Sequence, residues 1–298
     1  MAVSYFDSDF DFEELLADGE EFMKTVTNSS ASSMVVIEHD DESIGAPAWN
    51  DFHTNHSTAN FFRPKRYIPT EFPQALSLLQ SPSTFLEVGC GAGAALFPIL
   101  KARSENENAV GVCKCVAIDV SYVAVDLLKG EVEKWNEKLK EKLKEKLKEK
   151  RIEEGLKKED VECFVCDISK APPPIPPSSI TCIFLIFCLS SIPPSLFLPS
   201  LKNLHTCLKK GGLLCFRDYG LYDMTMLRFK KEQYKGGKTF RRGDGTLSTF
   251  FEVEESRKMF EEAGFEIVEC RYALVENFNR KKGVRLRRCF LHAFLRKV

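Results

Sequence analysis

A glycine-rich turn between a short apolar run and a helical stretch is the feature that most constrains this chain. Residues 84–88 are mostly apolar, residues 89–93 read Gly-Cys-Gly-Ala-Gly, and residues 94–103 favour a helix. Glycines let a backbone turn sharply and approach a ligand closely, and the start of the next helix offers free N–H groups. A dinucleotide-binding turn has the spacing G-x-G-x-x-G. Here the spacing is G-x-G-x-G with Glu87 two residues before it, which is typical of turns that bind S-adenosylmethionine; a turn without a ligand is the alternative.

The rest of the chain repeats this alternation of apolar runs and helical stretches. Two late runs, 265–275 and 289–296, are separated by a basic turn and predict an antiparallel hairpin at one edge. Alternation of strands and helices predicts a parallel sheet with helices on both faces. The expected fold class is therefore α/β, with a seven-stranded, mostly parallel sheet. The other apolar runs lie at 113–118, 161–166, 181–187 and 213–216, and the other helical stretches at 122–158 and 195–208.

Acidic residues follow two of the predicted strands. Asp119 comes directly after the second apolar run, and Asp167 and Ile168 follow the third. A carboxylate at the first place can accept the two ribose hydroxyls of an adenosyl ligand. At the second place an acid can face the adenine amino group while the aliphatic side chain covers the ring. Each acid alone could cap a helix, but with the glycine turn at the same sheet edge they predict nucleoside binding.

Composition and charge limit the class of protein. The 298 residues are 44% hydrophobic and 29% charged, which excludes collagen-like, fully disordered and disulfide-scaffold proteins. The net charge of −1 hides an uneven distribution, because residues 1–45 hold 12 acids and one base whereas residues 202–298 hold 22 bases and 12 acids. The basic last third predicts either a polyanionic partner, most commonly nucleic acid, or a solvated surface.

The cysteines and the apolar runs indicate the compartment. There are eleven cysteines and no signal peptide, and the most apolar run, 180–192, is shorter than the roughly 20 residues that span a membrane. We therefore expect no membrane contact and a reducing compartment: the cytoplasm, with the nucleus as a second location. The protein is also expected to be a monomer. Cys113, Cys115, Cys163 and Cys166 resemble zinc ligands in spacing, but alternate residues of a strand point to opposite faces, so no metal site is expected.

Two segments differ in composition from the predicted domain at 46–298. The acidic arm at 1–45 lacks sustained periodicity and is expected to be disordered or loosely attached. The insert at about 129–158 is rich in Lys and Glu, and residues 137–150 repeat the tetrad Glu-Lys-Leu-Lys. This repeat favours a helix that either is a solvated extension of the connecting helix or touches RNA.

Several stretches resemble the signature of the tRNA 3-methylcytidine methyltransferases. The longest is 216–223, Phe-Arg-Asp-Tyr-Gly-Leu-Tyr-Asp, followed by Met-Leu-Arg-Phe at 226–229. The resemblance runs from Trp49 to the C-terminus and omits only the arm and the insert. The shorter stretches are Trp-Asn-Asp-Phe at 49–52, Asn-Phe-Phe at 60–62, Leu-Ile-Phe-Cys-Leu-Ser at 185–190, Arg-Gly-Asp-Gly-Thr at 242–246 and Phe-Phe at 250–251.

The resemblance implies a class I methyltransferase of Rossmann-like fold that uses S-adenosylmethionine and methylates the cytidine at tRNA position 32. An aminoacyl-tRNA synthetase or another protein is a further candidate partner, beside tRNA. The family has Tyr where this chain has His53, and usually Asp where it has Asn50. The implied cofactor contacts are Trp49, His53, Gly89, Asp119, Asp167, Ile168 and Ile186, and the RNA-binding candidates in the basic third are Arg228, Arg241 and Arg242.

The chemistry of the target suggests which residues act on it. N3 of an unpaired cytosine has a free lone pair, so methyl transfer needs alignment and desolvation rather than a strong base. The product is a cation, which a carboxylate could stabilise; Asp218 is the catalytic candidate, and its alternative is a structural pairing with Arg217. The base must be splayed out and stacked on an aromatic side chain, for which Phe61, Phe62 and Tyr219 are candidates.

Three functions remain open at this point. The first is the tRNA methyltransferase. The second is a methyltransferase of proteins or small molecules, which would not need the basic last third. The third is an RNA-binding relative without catalysis, for which His53 is the only support.

Overall fold

The computed structural model describes residues 9–29, 44–58, 61–106, 108–109, 111, 113–150, 160–279 and 283–298. It contains a seven-stranded sheet, a separate three-stranded sheet and eight α-helices within these residues. The strands are β1 Ser83–Val88, β2 Cys113–Asp119, β3 Asp160–Val165, β4 Ile180–Ile186, β5 Leu208–Tyr219, β6 Tyr234–Gly236, β7 Thr239–Arg241, β8 Leu247–Thr249, β9 Phe265–Asn279 and β10 Val284–Lys297. The helices are α1 Glu13–Ser29, α2 Ala46–Asn55, α3 Ile68–Glu71, α4 Pro73–Leu78, α5 Leu96–Ser104, α6 Tyr122–Lys150, α7 Phe197–Cys207 and α8 Val253–Glu262.

The large sheet has the strand order β3-β2-β1-β4-β5-β10-β9. The first five strands are parallel, and β10 pairs antiparallel with both β5 and β9. The chain reverses its direction of winding between β1 and β4, and ligands of open α/β sheets bind beside such a point, at the carboxyl ends of the strands. The predicted α/β class, the parallel sheet and the antiparallel edge hairpin are confirmed.

Both faces of the inner parallel strands β1, β2 and β4 are buried, which explains their continuous apolar runs. Successive side chains point to opposite faces. Leu86, Ile183 and Leu214 belong to the core on one face, and Phe85 and Phe184 to the core on the other. Helices therefore cover the sheet on both sides.

Residues 13–29 of the acidic arm differ from the expected disorder, because they form α1 and pack on the domain. Leu15 and Val26 are buried, and the ring of Phe12 stacks on Tyr272 with centroids 4.4 Å apart. Gly19 lies against the Tyr222 ring, where a Cβ atom would overlap it. The prediction failed here because the apolar face of α1 gains its partners only from residues near the other end of the chain. Residues 1–8 and 30–43 of the arm lie outside the described residues.

The insert continues the helix that follows β2. Helix α6 runs to Lys150, and residues 151–158 of the insert lie outside the described residues. Helix α2, the small sheet of β6 to β8, and α8 were not predicted. Strand β9 extends four residues beyond the predicted end at 275, because it pairs with β10 outside the reach of β5.

The described residues contain no disulfide, no candidate metal site and no membrane-spanning helix. All eleven cysteines are free thiols. Within the described ranges there is no group of three or more His, Cys, Asp or Glu side chains arranged to hold a metal. No helix in the same ranges is long and apolar enough to cross a membrane.

Candidate active site

One cavity of about 1360 Å³ opens at the carboxyl ends of β1, β2, β4 and β5. Its wall includes every residue that the sequence predicted to bind the cofactor. These residues are Trp49, His53, Gly89, Asp119, Asp167, Ile168 and Ile186. They come from α2, from the glycine turn and from the ends of three strands, so the fold brings together positions up to 137 residues apart in sequence.

The glycine turn closely approaches the segment that follows β4. Gly89 has a φ of +68°, and a Cβ atom there would lie 2.7 Å from Sγ of Cys188, two residues after the end of β4. Only glycine combines this left-handed backbone with this close approach. The turn is therefore a cradle in which a ligand meets backbone rather than side chains.

Asp119 holds the turn and lines the cavity. Its Oδ2 accepts the N–H of Gly91 and its Oδ1 accepts the N–H of Ser121, both at 2.9 Å. Burial raises the pKa of Asp119, although these two hydrogen bonds and the nearby His53 oppose the rise. The carboxylate thus has a fixed orientation at the cavity wall, with acceptor capacity left for ligand hydroxyls.

Glu87 is a cavity-lining residue that sequence reasoning noted but did not assign. It is 3% exposed, and its Oε2 has no hydrogen-bond partner among the described residues. Burial raises the pKa of Glu87 well above its usual value, and hydrogen bonds from the backbone of Leu96 and Ala95 oppose this. A buried acceptor without a partner, beside the glycine cradle, fits a ligand that brings a hydrogen-bond donor, as the amino acid part of S-adenosylmethionine does.

Helix α2 closes one side of the cavity through Trp49 and His53. Asn50 anchors it, because its Oδ1 accepts the hydroxyl hydrogen of Ser121 at 2.8 Å. The ring of His53 is buried, and burial lowers its pKa while the neighbouring Asp119 raises it. His53 therefore takes the expected place in the wall despite its departure from the family pattern. The anchoring role of Asn50 was missed because its partner is 71 residues away.

Asp167 and Ile168 lie on the opposite side of the cavity. Asp167 Oδ1 accepts the N–H of Ser169 at 3.0 Å and its hydroxyl at 2.6 Å. Ile168 is buried, and its carbonyl accepts a hydrogen bond from Asn203 of α7 at 2.8 Å. An acid and an aliphatic side chain in fixed positions are suited to the edge and the face of a purine ring.

The far end of the cavity is aromatic and cationic. Phe62 and Tyr219, two of the predicted stacking candidates, line it, whereas Phe61 packs outside against Phe52 with centroids 4.9 Å apart. Lys65 also lines this end, and burial, with smaller contributions from nearby arginines, lowers its pKa to about 8. Phe187, Arg288 and Phe290 also line this end, and sequence reasoning assigned a role to none of them.

Asp218 does not lie on the cavity wall. It has no exposed surface, its Oδ2 accepts the N–H of Ser190 and its Oδ1 accepts the N–H of Tyr219, both at 2.9 Å. Burial raises its pKa to about 6 although these hydrogen bonds oppose the rise. The expected contact between Asp218 and the reacting base is therefore not supported. Its alternative, a pairing with Arg217, is wrong, because adjacent strand residues point to opposite faces and Arg217 pairs with Glu71.

None of the three arginines predicted to bind RNA is part of the cavity wall, and Arg228 is separate from the adjacent pair Arg241 and Arg242. Arg228 is exposed in a cleft that it shares with Asp18 of α1. Arg241 donates to the carbonyl of Gly245 at 3.2 Å. Arg242 lies over the ring of Tyr219, with 5.6 Å between Cζ and the centroid, so it is next to the cavity through that ring.

Comparison with known proteins identifies the family. A methyltransferase domain profile matches residues 60–270. The tRNA N(3)-methylcytidine methyltransferase trm140 of Schizosaccharomyces pombe is 33% identical, over 84% of this chain and 73% of its own length. The tRNA N(3)-cytidine methyltransferase METTL6 of Rattus norvegicus is 34% identical, over 84% of this chain and 78% of its own. The chain is a member of the tRNA N(3)-cytidine methyltransferase family.

One further relative of this family member is much longer, and the solved structures resemble it in fold alone. It is 34% identical to the tRNA(Thr) (cytosine(32)-N(3))-methyltransferase of Saccharomyces cerevisiae over 82% of its own length, but spans only 36% of that protein. A SAM-dependent methyltransferase from Anabaena variabilis superimposes with a TM-score of 0.52 at 15% identity, over 85% of this chain and 94% of that one. A second SAM-dependent methyltransferase, from Methanosarcina mazei, superimposes with a TM-score of 0.51 at 19% identity, over 76% of this chain and 97% of that one. These structures show the class I methyltransferase fold.

Proposed function

We propose that this family member transfers a methyl group from S-adenosylmethionine to N3 of a cytidine in tRNA, at position 32 of the anticodon loop. The observation that carries the proposal is that seven cofactor residues inferred from motifs line one cavity at the switch point of the sheet. The names of the curated relatives supply the substrate class.

The residues of the chain divide the work between binding and alignment. S-adenosylmethionine supplies an electrophilic methyl group when bound. Asp119 accepts ribose hydroxyl hydrogens, Asp167 and Ile168 hold the adenine, and Glu87 with the glycine turn holds the amino acid part. Trp49 and His53 of α2 exclude water from this end. Alignment of two reactants in a desolvated cavity accounts for most of the acceleration when no strong base is needed.

We assign Asp218 a positioning role. By accepting two backbone N–H groups, it fixes the loop after β4 and the end of β5, where Tyr219 enters the cavity. A residue that acts through others in this way affects the rate because the cavity wall changes shape.

Methylation of defined tRNA tests the proposed function. The purified chain is incubated with donor and tRNA transcripts that carry cytidine or uridine at position 32, and nucleosides are quantified by mass spectrometry. We expect 3-methylcytidine only with cytidine at this position. Donor binding without any methylated tRNA, either alone or with an aminoacyl-tRNA synthetase added, would favour a protein or small-molecule substrate instead.

Two further measurements concern the oligomeric state and the cellular location of the enzyme. We propose a monomer that works in the cytoplasm and also in the nucleus, consistent with eleven free thiols. Light scattering of the purified chain and fractionation of cells that express it test both statements. A disulfide-linked species isolated from cells would contradict the reducing location.

A further inference from the structure

The cavity has room for more than the donor. Its volume of about 1360 Å³ exceeds the roughly 300–1,000 Å³ of ordinary small-molecule pockets. The proposed donor residues occupy one end, and the other end is walled by aromatic rings. The ring centroid of Phe187 lies 5.0 Å from that of Tyr219 and 5.5 Å from that of Phe290. This end is therefore a candidate place for the second reactant.

A cation already lies over the aromatic rings of this site. Nζ of Lys65 is 4.8 Å from the ring centroid of Phe187 and 5.9 Å from that of Phe62. The Nζ atom of Lys65 makes no hydrogen bond or ion pair with any described residue. Aromatic faces attract cations at such distances, and the attraction is stronger where water is excluded. The lysine ammonium thus marks a point in the cavity that favours positive charge.

Two other cations of the cavity wall, Arg288 and Arg217, are neutralised by buried acids. Arg288 Nε lies 2.8 Å from Asp223 Oδ2, and Arg217 pairs with Glu71. Lys65 is attached by a flexible stem, and its lowered pKa shows that its charge is held at a cost in this site. An incoming base can therefore displace the Lys65 side chain more readily than it can displace either arginine.

The backbone of Phe187 is held in an unusual conformation. Its φ is +55°, a left-handed value that is uncommon for a bulky residue, and its N–H donates to the carbonyl of Arg217 at 2.7 Å. Such strain persists where the surroundings enforce it, and it is often found at functional sites. Phe187 directly follows Ile186 of the proposed donor site and precedes Cys188, which touches the glycine turn. Its backbone therefore adjoins the proposed donor site, while its ring lies among Tyr219, Phe290 and Lys65 at the far end.

We propose that Phe187 and Phe62 form an aromatic site that receives the target cytosine in place of the Lys65 ammonium and stabilises the positive charge of the methylated ring. This inference rests on the proposed function. In the reaction, the N3 lone pair forms the new N–C bond while the C–S bond of the sulfonium breaks and its electron pair passes to sulfur. The base gains the positive charge that sulfur loses, and no proton leaves N3. Because the charge arrives on the base only during transfer, the aromatic faces favour the transition state over the ground state.

Substitution of Phe187 by Leu and by Tyr tests the site. Both keep a Cβ atom and hence the same backbone strain, but only Tyr keeps an aromatic face. In single-turnover reactions with saturating tRNA and donor, we expect methyl transfer to slow by about 2- to 30-fold in Phe187→Leu and by less than about twofold in Phe187→Tyr. Donor affinity, measured by calorimetry, should stay within about twofold in both variants, since the ring lies beyond the proposed donor contacts.

Binding to two RNA hairpins separates the effect on charge from other losses. The hairpins are identical anticodon stem-loops that carry cytidine or 3-methylcytidine at position 32. We expect the wild type to prefer the methylated hairpin and Phe187→Leu to lose this preference. In Lys65→Gln the preference should increase, because the competing ammonium is gone. Phe260→Leu, a core substitution beside Phe216, should leave the preference unchanged.

The outcomes distinguish this inference from the proposed function. If the wild type forms no 3-methylcytidine, the proposed function fails. If the wild type is active and Phe187→Leu transfers methyl at the same rate with the same hairpin preference, only the aromatic site is wrong. A reduced preference in Lys65→Gln would mean that the lysine holds the base itself, and would equally overturn the inference.

Discussion

Asp119 has two roles, of which the sequence indicated only one: it lines the ligand cavity, as predicted, and it also holds the glycine turn. Its two oxygens accept the N–H groups of Gly91 and Ser121, and the same side chain lines the cavity beside the glycine turn. The place of the acid at the end of β2 could be predicted because the carboxyl ends of parallel strands meet at one edge. Its hold on the turn could not, because the hydrogen bond joins positions 28 residues apart.

Replacement of Asp119 is expected to weaken donor binding strongly. Asp119→Ala removes the acceptor for two ribose hydroxyls, a loss of about 2–4 kcal/mol in binding free energy. Isothermal calorimetry with S-adenosylmethionine measures it. Asp126→Ala, an exposed acid of α6, is the matched control and should bind as the wild type does. An affinity within threefold of wild type in Asp119→Ala would contradict the assignment.

Asp218 shows where residue-level prediction failed. The motif placed it correctly at the end of β5, but the sequence alone could not tell that its carboxylate turns toward the backbone N–H groups of Ser190 and Tyr219. Phe187 is a second case. A left-handed phenylalanine has no sequence signature, because its conformation is imposed by neighbours.

The pH dependence of stability is expected to carry the signature of Asp218. Burial raises its folded-state pKa to about 6 from a usual value of 3.8, so between these values the folded protein holds a proton that the unfolded chain releases. The stability from Asp218 is therefore present below about pH 4 and lost as the pH rises through 6. From pH 4 to 7, the free energy of unfolding of wild type minus that of Asp218→Asn should fall by on the order of 1–3 kcal/mol.

Urea denaturation at several pH values, paired with kinetics, measures both roles of this side chain. A positioning residue should lower the methyl-transfer rate in Asp218→Asn while donor affinity stays unchanged. Parallel stability curves for the two proteins would contradict the raised pKa. Wild-type kinetics would contradict the positioning role.

At the scale of elements, α1 places acidic side chains over basic ones. Glu14 Oε2 lies 2.7 Å from Arg287 Nη2, and Asp18 lines the cleft that holds Arg228 and Arg285. An acidic helix on arginines that could track phosphates competes with RNA for the same charges. The sequence showed both charged segments but not their contact, which is set by tertiary packing.

Removal of the negative charges of Glu14 and Asp18 is expected to strengthen tRNA binding. In Glu14→Gln/Asp18→Asn, affinity at low salt should rise by about 2- to 10-fold, the scale of losing one exposed ion pair and one further acidic charge beside the arginines. The control is Glu13→Gln/Glu21→Gln, which changes net charge equally without removing the Glu14 ion pair or the Asp18 charge and should have a smaller effect. Filter binding or anisotropy measures both. Weaker binding in the first variant would mean that α1 is itself part of the RNA-binding surface.

Elements with strong periodicity were predictable, and short ones were not. Strands β1, β2 and β4 were found because burial on both faces gives continuous apolar runs. Strands β6, β7 and β8 have three residues each, too few to show alternation. Helix α2 has a weak pattern because its aromatic residues face the cavity as well as the core.

For the molecule as a whole, the separation of charge along the sequence predicts salt-dependent RNA binding. Each phosphate contact contributes a slope of about −0.7 for single strands to −0.9 for duplex in a plot of log affinity against log salt. We expect a triple substitution of Arg228, Arg241 and Arg242 by Gln to reduce the slope by about two. Substitution of Lys101, Lys129 and Lys134, exposed residues of α5 and α6, by Gln is the matched control. A flat salt response of the wild type would exclude a phosphate-tracking surface.

The global architecture was the most predictable level. The glycine turn, the alternation of elements and the late hairpin predict a parallel sheet with an antiparallel edge, which is enough to locate the ligand edge. What lies beyond that edge depends on contacts between distant segments, such as Lys65 with Phe187 or α1 with β10. Such contacts have no local pattern.

Position 19 gives the arm an unusual mutational fragility. The space beside Gly19 is filled by the Tyr222 ring, so the position accepts a hydrogen atom and nothing larger without displacement. Any glycine codon becomes an alanine codon by a single-nucleotide change. The added Cβ atom of Gly19→Ala would clash with the Tyr222 ring and displace α1 from the domain, while every charge of the chain is retained. A single-nucleotide mutation is thus enough to abolish the packing of the arm on the domain.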